Sequence, residues 1–194
     1  MPGVNIPKVN SYKEGEFVTL DSYSETQKKI SKESIFTALM RLLEKKQFNE
    51  ISITQITKMA GVSRMAFYRN YNTKEDIIAI YLDELFMEFY NKFLSLDPTS
   101  KYNNLCNFFS FFKERKYFIE ILMRSGLIYI FYTKLNLSLF NYFKDMENKN
   151  KPEYGTYLAQ YEAGGLYSVL LEWISNNTQE SAETMANLMN EFTR

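Results

Sequence analysis

Between Ser52 and Lys74 the chain sets polar side chains at short intervals: Ser52, Thr54, Ser63, Arg64, Tyr68, Arg69, Asn70 and Lys74. Hydroxyls, an amide, guanidinium groups and an ammonium arranged in this way donate hydrogen bonds and carry positive charge. That is equipment for recognition, and the partner it suits is nucleic acid. The Arg64 guanidinium can donate a fork of hydrogen bonds to a guanine edge, or bind phosphate. Tyr68 and Lys74, a hydroxyl and a mobile ammonium near helix ends, suit phosphate, as do Ser52 and Thr54 at the start of a helix. Met65 and Ala66 offer only apolar contact, for example to a thymine methyl. Arg69 suits a DNA contact and an intradomain ion pair equally well. Ser52, Ser63 and Thr73 suit helix capping as well as they suit phosphate.

Bond-breaking chemistry is poorly served. The 194 residues include no histidine, which excludes a Ser-His or Cys-His nucleophile and a His-bound metal. There is no glycine-rich phosphate loop and no metal-ligand cluster, so no catalytic residue, metal or cofactor is expected. Cys106 is the single cysteine and cannot form an intrachain disulfide, which fits a reducing cytosol.

Local signals say how the polar residues are positioned. Ser52 followed by Gln55 has the form of a capping box. Ile53, Ile56, Met59 and Ala60 then share one helical face. Gly61 ends that helix where a left-handed backbone is wanted. Val62 turns inward and Ser63 caps a second short helix, Arg64 to Tyr71. Val62, Phe67 and Tyr71 have the spacing of its inward face, which leaves Ser63, Arg64, Met65, Ala66, Tyr68, Arg69 and Asn70 outward or flanking. Two short helices joined by a tight turn make a helix-turn-helix, whose second helix lies in the major groove of DNA.

The surrounding chain reads as all-α. Gly and Pro number only 7 and 4, which favours helices over turn-rich β structure. A first helix is expected from about Ser31 to Lys46, with Ile35, Leu39, Leu42 and Leu43 inward and Phe48 and Ile51 closing a small core. A fourth, capped by Thr73 and with Glu75 and Asp76 at its positive end, runs to about Phe93. Leu96 to Ser100, with Pro98, breaks it. Further helices are expected near 102–114, 117–124, 126–147, 154–176 and 179–192. The expected organisation is a mobile arm over 1–29, a three-helix head over 30–78 and a helical body over 79–194. Charge follows that division. Residues 31–80 hold eight Lys/Arg against five Asp/Glu, and residues 81–194 hold eleven against fourteen. A basic head on an acidic body suits DNA binding. No secretory signal or membrane-length apolar run is visible, so a cytoplasmic location without membrane contact is expected.

The Ala60-Gly61-Val62-Ser63 turn, the Phe67-Tyr68-Arg69-Asn70-Tyr71 run and the Thr73-Lys74-Glu75 start that follows it resemble the N-terminal domain of TetR-type (tetracycline-repressor-like) transcriptional regulators. The resemblance covers about residues 31–80. Relatives often carry Gly then Thr where this chain has Met65 and Ala66; the change removes a hydroxyl usually available to DNA, so the operator sequence does not carry over. The resemblance implies a homodimer on a pseudo-palindromic double-stranded operator, most simply a repressor released by a small apolar or aromatic effector. The alternative of the same fold is an activator controlled by a protein co-regulator.

In the body, Phe86, Phe89, Phe108, Phe109, Phe112, Tyr129, Phe131, Tyr132, Phe140 and Phe143 fall at helical spacings that can line an effector pocket, although core packing is the commoner use of such stripes. Near the C-terminus, small residues (Ala163, Gly164, Gly165, Ser168) are followed by a Trp173-Ile174 end and an amphipathic final helix. This resembles a C-terminal subtype of the same family, in which the last two helices build a four-helix dimer interface. The residues so implied are Tyr161, Gly165, Ser168, Leu171, Trp173, Met185, Leu188, Met189 and Phe192.

Overall fold

The computed structural model describes residues 20–94, 100–147 and 155–192. In chain order its helices are α1 (Leu20–Leu43), α2 (Ile53–Ala60), α3 (Arg64–Asn70), α4 (Glu75–Leu94), α5 (Lys101–Lys113), α6 (Lys116–Arg124), α7 (Ile128–Glu147), α8 (Gly155–Ser175) and α9 (Ala182–Phe192), with a 3-10 turn at Phe48–Glu50. Among the described residues there is no strand, and no helix is long and apolar enough to cross a membrane.

The helix α1 begins eleven residues before the expected start, so 20–29 is helical where a mobile arm was expected; residues 1–19 lie outside the described residues. Residues 25–30 are exposed, which is why no apolar stripe announced this stretch. No Gly or Pro occurs between Gly15 and Gly61 to interrupt it, and Gln, Lys and Glu are good helix formers. The break expected at 96–100 and the loop expected at 148–152 fall almost wholly on residues outside those described. Gly126, expected to open a helix, instead closes one. Its φ of 70° is left-handed, and Leu127 donates back to the Leu122 carbonyl at 2.9 Å, ending α6.

In the head, α1 packs on α2, α3 and α4, burying Ile35, Leu39, Ile51, Ile56, Phe67, Ile77 and Ile78 almost completely. Each such side chain contributes roughly 1.5–3 kcal/mol of burial free energy. Met59, expected inward, is 49% exposed, and Thr57 takes the buried position, its hydroxyl donating to the Thr54 carbonyl at 3.2 Å. That bond makes a buried hydroxyl tolerable. The body pairs α7 with α8 and α5 with α9, while α4 leaves the head and lies against α7. Head and body meet through stacked rings. Phe36 of α1 lies on Tyr81 of α4 with centroids 3.8 Å apart, and Phe118 of α6 meets Tyr81 edge-on at 5.1 Å.

Candidate nucleic-acid interface

The helix-turn-helix is fixed by its caps. The Ser52 hydroxyl accepts from the Gln55 amide at 3.2 Å, and the Ser52 amide donates to the Gln55 side chain at 2.8 Å. Gly61 sits at φ 67°, ψ 28°, which lets the Val62 amide reach the Thr57 carbonyl at 3.0 Å. Ser63 then caps α3 by accepting from the Ala66 amide at 3.0 Å. Phe67 turns α3 into the core at 0% exposure, and Tyr71 follows it at 4%. Burial, and secondarily the Glu84 carboxylate, push the Tyr71 phenol up to about 12, so it is neutral at any physiological pH.

The opposite face of α3 is open. Met65 is 73% exposed, Tyr68 is half exposed, and Arg64 and Arg69 face solvent. Arg64 spans the two helices: Nη1 donates to Thr54 Oγ1 at 3.1 Å on α2, and Nη2 to Tyr68 Oη at 3.4 Å on α3. Thr54, Arg64 and Tyr68 therefore form one cluster, which orients the guanidinium without burying it. Among the described residues Arg69 forms no ion pair. Asn70 is less free. Its Nδ2 donates to the Ala66 carbonyl at 2.8 Å, and its buried Oδ1 has no partner.

Lys74 stands apart from the exposed cluster. Its Nζ donates to the Phe48 carbonyl at 2.8 Å and to the Ile51 carbonyl at 2.6 Å, and lies 4.4 Å from the Phe48 ring centroid. It ties the 3-10 turn to the start of α4. Beside it the Asp76 carboxylate accepts from the amides of Asn72 at 2.8 Å and Thr73 at 2.9 Å, while Thr73 Oγ1 accepts from the Asp76 amide at 3.2 Å. The Thr73 amide bond is the chief reason the Asp76 carboxyl is held below its ordinary value.

In the body a cavity of about 370 Å³ opens between α4, α5, α7, α8 and α9. Of the aromatic residues expected at a pocket, Phe89, Phe108 and Phe143 line it. For the others that expectation is corrected. Phe86, Phe109, Phe112 and Phe131 are packed into the core, with Phe86 against Phe112 and Phe131, and Phe109 against Trp173 at 5.2 Å. Tyr129 and Tyr132 are exposed on α7, away from the lining, and Phe140 is half-buried. Helical spacing identifies an apolar face but not which side of it a gap will occupy. Sequence reading also missed Asn104 and Tyr142, whose side chains meet at 3.4 Å in the cavity wall. Asn104 is 8% exposed and its Oδ1 has no partner. Asn104 is one of three asparagines in α5, with Asn103 and Asn107, so no sequence signal singled it out.

The α8–α9 residues also divide. Tyr161, Gly165, Ser168, Leu188 and Phe192 are exposed, with Tyr157 beside them at 80%. Trp173, Met185 and Met189, expected on a dimer face, are instead buried within the subunit, and Leu171 is half-buried. The α9 methionines turn toward α5, and Trp173 Nε1 donates to the Glu180 carbonyl at 3.3 Å. On these helices Trp173, Met185 and Met189 build the core, while Tyr157, Tyr161, Gly165, Ser168, Leu188 and Phe192 face out.

Comparison with known proteins agrees with this architecture. Residues 35–79 match the family described as bacterial regulatory proteins of the tetR family, and residues 100–194 match a transcriptional regulator C-terminal region of the TetR type. The HTH-type transcriptional regulator EthR of Mycolicibacterium smegmatis is 40% identical over 52 residues, 27% of this chain and 24% of that protein, so the match spans about a quarter of the relative. Among solved structures, Lin0861 of Listeria innocua superposes with a TM-score of 0.69 at 20% identity, covering 88% of this chain and 92% of its own. The dihydroxyacetone kinase operon activator DhaS gives 0.61 at 19% identity over 84% and 93%. At those identities the two structures speak for the fold alone. With both of its parts matched in order, the chain belongs to the TetR family of transcriptional regulators.

Proposed function

We propose that the protein is a cytoplasmic homodimer that binds a pseudo-palindromic operator through α3 and represses the adjoining promoter. The observation that carries this reading is the solvent-facing Thr54–Arg64–Tyr68 cluster, with Met65 projecting beside it. Arg64 reads a base edge, Met65 and Ala66 add apolar contacts, and Tyr68, Arg69 and the caps Ser52 and Ser63 meet phosphates. Lys74 steadies the frame and offers its remaining proton to phosphate. The exposed small-residue face of α8 with Leu188 and Phe192 of α9 supplies the dimer contact, because glycines let helices approach closely and a two-fold dimer presents two recognition helices. A small apolar ligand in the body cavity, against Phe89, acts on α4, whose other end carries the Thr73–Asp76 cap beneath α3.

Genome-wide footprinting with the purified protein gives the operator, and fluorescence anisotropy on that DNA tests the contacts. Arg64→Ala is expected to lose roughly 1–3 kcal/mol of discrimination at one base pair of each half-site. Footprints without two-fold related half-sites, or an Arg64→Ala protein with unchanged affinity and preference, would remove this reading. Transcript levels in a deletion strain give the sign: a rise supports repression, and a fall makes the protein an activator.

A further inference from the structure

Arg64 begins α3, yet its guanidinium is held by a residue of α2. Thr54, the second residue of α2, accepts from Nη1 at 3.1 Å, and Tyr68, one turn along α3, accepts from Nη2 at 3.4 Å. The Tyr68 ring centroid lies 5.9 Å from the guanidinium carbon. All three side chains are exposed, so these bonds do not serve a core. Their effect is on Arg64 itself. A free surface arginine samples many rotamers, and ordering it on a partner weakens binding by a factor of about five. Anchors on two helices remove that freedom before DNA arrives. Of the five guanidinium N–H donors two are held and three remain, enough for the O6 and N7 acceptors of guanine. Adenine sets an amino group beside N7 and cannot accept the fork. The Thr54 hydroxyl, in accepting from Arg64, keeps its own proton, which at the exposed start of α2 suits a phosphate oxygen.

We infer that Thr54 is a positioning residue for base recognition: it joins a DNA phosphate to the Arg64 guanidinium, and so fixes a guanine at one place in each half-site. The inference deepens, and rests on, the reading of α3 as the helix in the major groove. It separates two consequences of losing the Thr54 hydroxyl. The phosphate bond is lost on every sequence alike. The aim of Arg64 matters only where guanine accepts the fork, because no other base requires the side chain to be ordered. A hydroxyl that only bound phosphate, or only joined the two helices, would leave base preference unchanged.

The test selects duplexes from a randomised double-stranded DNA library with the full-length wild type, Thr54→Val, Thr54→Ser and Arg64→Ala. Fluorescence anisotropy then compares the selected duplex with its copy carrying adenine for the guanine. Thr54→Val keeps the shape and branching of the side chain at an exposed position, and Thr54→Ala, a better helix former, repeats the measurement by a second route. Circular dichroism reads the fold. The wild type is expected to prefer the guanine duplex by about tenfold or more. Thr54→Val and Thr54→Ala should each cut that preference by about fivefold, besides weakening both duplexes, while Thr54→Ser keeps it. Arg64→Ala should show no preference, and adding Thr54→Val to it should weaken both duplexes equally. Thr54→Val and Thr54→Ala proteins with the wild-type preference, a Thr54→Ser protein that shares their loss, or a wild-type motif without a guanine in each half-site overturns the positioning role and leaves α3 as the reading helix. An Arg64→Ala protein that selects the wild-type motif, or a wild type that selects none, overturns the DNA-contact reading with it.

Discussion

An ammonium has three protons to donate, and Lys74 commits two of them to the Phe48 and Ile51 carbonyls. These carbonyls close the chain's passage from α1 to α2, so Lys74 positions the whole reading pair and has one donor left for phosphate. Lys74→Ala should therefore show two losses. Stability should fall by about 1–3 kcal/mol, since half-buried carbonyls lose a charged donor, and a urea midpoint measures that. DNA affinity should fall alike for all sequences, with the salt slope reduced by about one. A variant with wild-type stability would show that the carbonyl bonds contribute nothing. The sequence motif made Lys74 visible as a phosphate-type residue; its bonds to residues more than twenty positions earlier depend on how the turn folds back, and no spacing rule reports that. The Thr54–Arg64–Tyr68 cluster had the same status: each residue was legible as a donor, while their meeting across the turn was not.

At the scale of elements, the turn and the start of α4 were legible because each is set by a local rule. Gly61 is at φ 67°, and a Cβ there meets nothing within 4 Å, so Gly61→Ala tests backbone strain without a clash. The expected cost is about 1–2 kcal/mol, read as a lower urea midpoint, with Gly61→Asn costing less because Asn tolerates the left-handed region. The Asp76 cap has a pH signature. Its carboxyl is held below its ordinary value of 3.8, so around that value the unfolded chain binds more protons than the folded one. The cap's contribution is complete above the ordinary value and is lost as pH falls through the lowered one. The thermal midpoint of the wild type should exceed that of Asp76→Asn at neutral pH, and the gap should narrow below about pH 4. A gap independent of pH would mean that the carboxylate charge is not what caps α4. Residues 25–29 of α1 escaped the sequence reading because they are exposed, and a helix without a buried face leaves no periodic trace.

In the whole molecule, charge suggested a basic head and an acidic body, but the joint between the two was not legible in the sequence. That joint is made by Phe36, Tyr81 and Phe118, one ring from each of α1, α4 and α6, and by the Tyr117 hydroxyl donating to Glu44 at 2.7 Å. None of these residues lies on the exposed face of α3 or in the cavity lining. If α4 carries a signal from cavity to head, the ring cluster is what makes it and the body move as one piece, since a helix alone does not fix the angle at which two packed units meet. Phe118→Ala removes the α6 ring while leaving α3 and the cavity wall intact. Losing one ring contact costs on the order of 0.5–1.5 kcal/mol beyond burial, too little to unfold the chain if its total stability lies near the usual 5–15 kcal/mol. Hydrogen exchange should then quicken along α1 and the first turns of α4. Operator affinity without ligand should change by less than the change in ligand response, because the head keeps its own core while its tie to the body loosens. A Phe118→Ala protein whose operator complex responds to ligand as the wild type does would show that the signal travels along α4 without the aromatic joint.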